Sequence, residues 1–411
     1  MFNPHVRLYL AGFILDFAIM TAITVIPFYI YNQLGGDEMM SGLFGGVQSV
    51  LYAGTCLVSS RYVGRSQHGL RWAYAGLLIY LVFLPSMLLS RNPWVAGGLS
   101  ALAWAGLAIV WPAFYSWFGA DPDPARRQKS LGWFNIAWSG GFTVSPLFAG
   151  PLYDHAYWMP FAVVFIGTGV ALLLVWSLPR ERDYFGVPAH EDANDETPVD
   201  WKSETFLYAS WMATLVANII MGVMRSVYPK RVNDLVAAGQ LRIFFEGSPA
   251  GFLTVDAATK YSWLAFACSL FTVLIFLYFG HSVVWRHRLG WLIGIQVAAG
   301  AAFWTLSTTT SLAVMLIAFA LGGAALGVGF FSSVYYSVAN PRLKHRRAAI
   351  NEGAVGVGGF FGSVVFGWLA NRHGMAFPFQ WSPLFIGAAI LFQFWLVRHG
   401  ARRVARMQRS A

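Results

Sequence analysis

Apolar runs long enough to cross a bilayer recur about twelve times along this chain. They lie near residues 8–31, 40–60, 72–90, 94–118, 130–153, 159–178, 204–229, 261–280, 290–309, 312–338, 348–370 and 381–398. A helix of roughly 18–20 apolar residues spans the hydrocarbon core. Lipid offers nothing to unpaired backbone groups, so each run is predicted to be helical throughout. The fold class that follows is an all-α integral membrane protein with 12 transmembrane helices. A chain that is 57% hydrophobic and 11% charged fits no soluble class. The run from Leu8 is too long for a cleavable signal and lacks a small-residue cleavage site, so it reads as the first span.

Charge placement sets the expected orientation. With the N-terminus inside, 21 of the 28 Lys and Arg residues fall on inner segments and six on outer loops, and Arg225 lies within a helix. Both termini are therefore predicted to be cytoplasmic. The net charge of +10 flanks membrane helices and does not point to nucleic acid. The two cysteines, Cys56 and Cys268, sit in apolar runs and suggest neither a disulfide framework nor a metal site.

The predicted organisation is a six-helix bundle over 1–178, an acidic cytoplasmic linker over 179–203, and a second bundle over 204–398. A basic cytoplasmic tail follows over 399–411. The second bundle contains an outer insertion, 230–260, suited to a short amphipathic helix at the membrane surface. The two bundles read as an internal repeat. Aligning Asp16 with Asn218 places Pro27 on Pro229 without a gap. Aligning Gly150 with Gly367 places Gly141 on Gly358, Ser145 on Gly362 and Asn135 on Glu352. Trp111 and Tyr115 fall on Phe331 and Tyr335. A pseudo-symmetric pair of bundles suits rocking about a central site.

The fifth run is apolar yet carries Gly132, Gly140, Gly141, Ser145, Pro146, Ala149 and Gly150. Gly141, Ser145 and Ala149 recur every four residues, which leaves one helix face nearly bare for close packing or sliding.

With these features the chain resembles the major facilitator superfamily over nearly its whole length. Gly132, Gly141, Ser145-Pro146 and Ala149-Gly150 are similar to the family's fifth-helix signature, which has Gly where Ser145 and Ala149 stand here. The resemblance implies export by antiport. Two departures qualify it. In the loop between the second and third runs, Gly64-Arg65 is present but Arg61 takes the place of the family's acid. The fourth run, 94–118, has no charge and so lacks the arginine typical of drug–proton antiporters.

Candidate site residues follow from polarity within the spans. Asp16 lies nine residues past Arg7, about 13 Å along the axis. A carboxylate near mid-membrane needs a partner, water or a proton. It is the candidate ion site, with hydrogen bonding to a neighbouring helix as the alternative. Arg225 is either an anchor for an anionic group or a side chain reaching the outer interface. Trp111 and Tyr115, with their repeat partners Phe331 and Tyr335, and Asn135 and Asn218, are candidate solute contacts: aromatic walls with few polar tips suit planar, amphipathic or sugar-like molecules. Glu352 is the candidate gate partner of Arg61 or Arg65, because an acid appears on the helix that this loop meets in the family.

The predicted function is secondary transport of a small solute by alternating access, proton-coupled and outward. The alternatives are a facilitator or symporter for a sugar-like or acidic metabolite, and a receptor that does not transport. Catalysis is not expected. All nine histidines lie in loops or at helix ends, and no phosphate-binding glycine loop is present. The expected partners are the small-molecule substrate, the lipid bilayer of the cytoplasmic (inner or plasma) membrane and protons. No cofactor, metal or nucleic acid is expected, and the chain is expected to be monomeric.

Overall fold

The computed structural model describes residues 3–63, 69–119, 121, 123–179, 201–243, 256–338 and 344–410. Among them the structure is helical, with one isolated parallel bridge between Arg242 and Ser311. The first unit holds α1 (Pro4–Asn32), α2 (Glu38–Val63), α3 (Gly69–Phe83), α4 (Pro93–Gly119), α5 (Pro124–Val144), α6 (Pro146–His155) and α7 (Met159–Trp176). The second part of the chain holds α8 (Trp201–Ser226), α9 (Tyr228–Ala237), α10 (Ala257–His281), α11 (Leu289–Thr308), α12 (Leu312–Val338), α13 (Lys344–Phe360), α14 (Phe366–His373) and α15 (Phe377–Ser410).

Eleven described helices are long and apolar enough to cross a membrane. The predicted span 130–153 is divided at Ser145 into α5 and α6. Pro146 has no N–H to give to the preceding turn, which interrupts the ladder. Ser145 keeps helical angles (φ −52, ψ −46), so the path continues through the break. The first turns of α5 also carry Arg126, Arg127 and Lys129, which dilute the apolar signal of that helix. The predicted span 348–370 is likewise interrupted, by a π-helical turn at Phe361–Val365 between α13 and α14.

Two compact units emerge: Met1–Glu191 with Val255–Phe266, and Asp192–Thr254 with Ala267–Ala411. The start of α10, up to Phe266, thus groups with the first unit, although the repeat assigns the whole helix to the second. Gly150 explains this. A Cβ there would meet Ala258 and Thr259 backbone and the Ser262 hydroxyl, so only glycine lets α6 lie so close to α10. Asp154, at the end of α6, accepts from the Thr259 N–H (2.8 Å) and Oγ1 (2.5 Å) and caps α10 from another helix.

Each unit is built around one buried helix. In the first, α1 packs against α5, α6 and α7. In the second, α8 packs against α12, α13 and α15. Lipid gives no hydrophobic drive for helix association, so close approach and hydroxyl bonds hold these seams. At Gly141 an added Cβ would overlap the Phe13 carbonyl oxygen and sit 2.9 Å from Phe17 N. At Gly358 it would lie 2.7 Å from Leu215 O and 3.3 Å from Ile219 N. The Asp16–Asn218 alignment carries Phe13 and Phe17 onto Leu215 and Ile219, so the two seams have the same register. Each also holds a buried hydroxyl pair: Thr21 with Ser145 (2.7 Å), and Ser226 with Ser363 (3.0 Å).

The predicted insertion 230–260 begins with α9, which buries Tyr228, Pro229, Val232 and Leu235 and exposes an Lys230–Asp234 ion pair. Arg242 then donates to and accepts from the segment after α11, through Thr310 O and Leu312 N. Residues 244–255 lie outside the described residues, as does most of the predicted linker, 180–200.

Candidate functional site

Asp16 is 7% exposed and buried within the first unit. It lies within electrostatic reach of Tyr80 on α3. The Tyr80 hydroxyl is fully buried and has no hydrogen-bond partner among the described residues.

A second group forms where α4 meets α5. Asn135 Oδ1 accepts from Trp138 Nε1 (3.0 Å), one helical turn on, and from the Tyr115 hydroxyl (3.4 Å) on α4. The Trp111 ring lies edge-on to Trp138 (6.5 Å) and tilted against Phe134 (6.3 Å). Tyr115 packs edge-on to Phe134 (5.6 Å). Asn135 and Tyr115 are exposed on the surface of the unit, Tyr115 by 41%. The structure therefore brings together Trp111, Tyr115 and Asn135, with Trp138 as their link.

The repeat partners go elsewhere. Phe331 packs against Trp285 (5.6 Å) and Phe279 (5.9 Å). Tyr335 packs against Trp285 (5.1 Å), with the Arg286 guanidinium 4.8 Å above its ring. Both belong to an aromatic cluster that also takes in Leu207, Leu292 and Tyr336. Asn218 donates to Thr214 O (2.9 Å), and its Cβ faces Gly358 at the α8–α13 seam. Arg225 is half-buried in the last turn of α8, within electrostatic reach of Cys268.

Of the gate candidates, Glu352 is half-buried on α13, and no described residue bonds to it. Arg347, on the same helix, is committed to Glu204 at 2.6 Å. Gly64, Arg65 and the Arg61 side chain lie outside the described residues. The fifth-run residues divide by role. Gly141, Ser145 and Gly150 make the close contacts described above, and Pro146 breaks the ladder, whereas a Cβ on Gly132 would meet nothing within 4 Å.

Several partners had no sequence signal. Gln296 and Gln393 exchange two amide bonds between α11 and α15 (3.1 and 2.9 Å) in full burial, and Gln48 donates to Ser100 (2.5 Å). At the α4–α5 turn, Arg126 binds Asp121 through two nitrogens (2.6 and 2.8 Å), which holds the Asp121 carboxyl below the usual carboxylate range.

Membrane-length helices around two buried central helices, with a polar and aromatic group on the surface of one unit, define a multi-pass membrane protein of transporter type. The chain belongs to the Major Facilitator Superfamily, whose model matches residues 8–241. The family and fold are those of membrane transporters, which are not enzymes. Among solved structures, the chain is similar to a bacterial homologue of the human lysosomal transporter Spinster, in an inward-facing and unoccupied conformation. The identity is 15%, the TM-score 0.76 and the cover 98% of each chain. It is also similar to the peptide transporter POT in complex with sulfate (13% identity, TM-score 0.74, cover 97% and 94%). The nucleoside transporter NupG is a third such structure (12% identity, TM-score 0.69, cover 97% and 100%). At these identities the likeness is one of fold. No curated protein sequence matches the chain.

Proposed function

We propose that the protein is a secondary transporter that binds a small solute and exposes it alternately to each side of the cytoplasmic membrane, coupled to protons and running outward. The observation that carries this reading is Asp16: a carboxyl only 7% exposed, inside the central helix of one unit and within electrostatic reach of the buried Tyr80 hydroxyl. A carboxyl so placed needs a partner, water or a proton, and a proton taken up and released there supplies the coupling. The Tyr115–Asn135–Trp138 group, exposed at Tyr115 and Asn135, supplies the solute contacts, with Trp111 beside it.

Glu352 pairs with Arg61 or Arg65 at the inner gate in this proposal. That Arg347 is taken by Glu204 supports it, since Glu352 is left to a base from elsewhere. A double-mutant cycle on Arg61 and Glu352 with no coupling in transport would remove the pairing.

The test of the main reading uses purified protein in proteoliposomes, with a solute chosen by thermal-shift screening of metabolites and drugs. Asp16→Asn is expected to abolish flux driven by a pH gradient while solute counterflow persists. Unchanged gradient-driven flux in Asp16→Asn would overturn the proton role. A second reading, a facilitator, is favoured by one observation: the fourth run carries no charge. Wild-type counterflow with no response to pH gradients supports it.

A further inference from the structure

The bonding of Asn135 fixes which way its amide faces. The Trp138 indole N–H can only donate, so the Asn135 atom that it meets at 3.0 Å is the oxygen. The Tyr115 hydroxyl approaches the same oxygen. With Oδ1 engaged twice, the Nδ2 group points away, and no described residue accepts from it.

Two N–H donors therefore face outward from α5. Asn135 is five residues into the span read as 130–153, about 7 Å past its inner end and inside a hydrocarbon core about 30 Å thick. An exposed amide within the core is costly against acyl chains, which cannot satisfy it, so water or a solute is the neighbour that physical chemistry favours there. Gly132, one turn earlier on the same side of α5, opens room beside it, because nothing lies within 4 Å of where its Cβ would stand. The walls are the rings of Trp111, Tyr115 and Trp138. The fourth run brings no charge, and the nearest described charges on α5 are at its inner end, Arg126, Arg127 and Lys129.

We infer that Asn135, oriented by Trp138 and Tyr115, is a donor subsite that takes the hydrogen-bond acceptor head of a planar, apolar solute and discriminates against heads that can only donate. This rests on the solute-binding reading given above and narrows it to a chemical class: carbonyl, carboxylate or phosphate oxygens on an aromatic or similarly flat body. Trp138 is a positioning residue, since it acts by fixing the amide.

The test compares three probes on one ring system, 2-naphthoate, 2-acetonaphthone and 2-naphthylmethylammonium, by equilibrium dialysis against the purified full chain at neutral pH. The wild type is expected to bind the two acceptor probes at least about tenfold more tightly than the ammonium probe. Asn135→Asp keeps an oxygen for Trp138 and Tyr115 but replaces the outward donors with an acceptor, so the order of the probes reverses. Trp138→Phe frees the amide to turn and brings the three affinities within about threefold of one another. A wild type that prefers the ammonium probe, binds none of the three, or keeps its order in Asn135→Asp overturns the inference. The outcome is separable from the transport reading, because probe order is read at equilibrium and flux is not involved.

Discussion

Replacing Gly141 by alanine puts one methyl group where the two helices of the first seam touch. The new Cβ overlaps the Phe13 carbonyl and stands 2.9 Å from Phe17 N, whereas ordinary contact begins at 3.4 Å. Both obstacles are backbone, so no side chain can swing aside and α1 must move away from α5. Overpacking of this kind costs about 1–3 kcal/mol. Alanine also favours the helix over glycine by about 1 kcal/mol, which would blur a single comparison. Gly132→Ala corrects for that, as it carries the same propensity gain and meets nothing within 4 Å. The steric cost is the difference between the two variants, about 1–3 kcal/mol, or roughly 5- to 150-fold in the folding equilibrium. Gly358→Ala, with its contacts at 2.7 and 3.3 Å, is expected to fall between them. Reversible unfolding in mixed micelles with increasing denaturing detergent reads the order. Equal stability of Gly141→Ala and Gly132→Ala would refute the close-seam account.

Three further outcomes are expected. Gln296→Leu or Gln393→Leu alone leaves a buried amide without its partner and destabilises by about 1–3 kcal/mol, while the double variant recovers most of the loss; additive losses in the same detergent titration would contradict the pairing. Asp154→Ala removes the cap on α10 at a cost of about 1 kcal/mol, and hydrogen exchange should speed up at the Thr259 amide, with no change there counting against the cap. Asp121→Asn loosens the α4–α5 turn only above about pH 4. The Asp121 carboxyl is held low by Arg126, so its contribution is present above the unfolded pKa and fades as pH falls through the folded one. A difference between wild type and Asp121→Asn that grew towards acid would contradict this.

What the chain reveals by itself depends on the range of each interaction. Span length and the seam glycines are written in local composition, and the repeat register found by matching Asp16 to Asn218 reappears as matched contacts at Gly141 and Gly358. The Asn135–Trp138 bond is one helical turn, so spacing suffices to expect it. Other partners are far apart in sequence. Glu204 and Arg347, Gln296 and Gln393, and Asp154 and Thr259 meet only because helices pack, and single residues of common types give no warning of it. Gly132 and Gly141 look alike in the signature, yet one fills a seam and the other leaves space. Phe331 and Tyr335 share their repeat positions with Trp111 and Tyr115, but Trp285 draws them into a closed aromatic cluster.

The central claim is that the face bearing Asn135 opens in turn to each side of the membrane. The two native cysteines are buried, 8% and 3% exposed, so a membrane-impermeant thiol reagent has little else to find in Asn135→Cys. Right-side-out and inside-out vesicles carrying that variant are expected to label from both sides, and a bound acceptor probe should slow both reactions. Labelling from one side alone, or from neither, would contradict alternating access at this site.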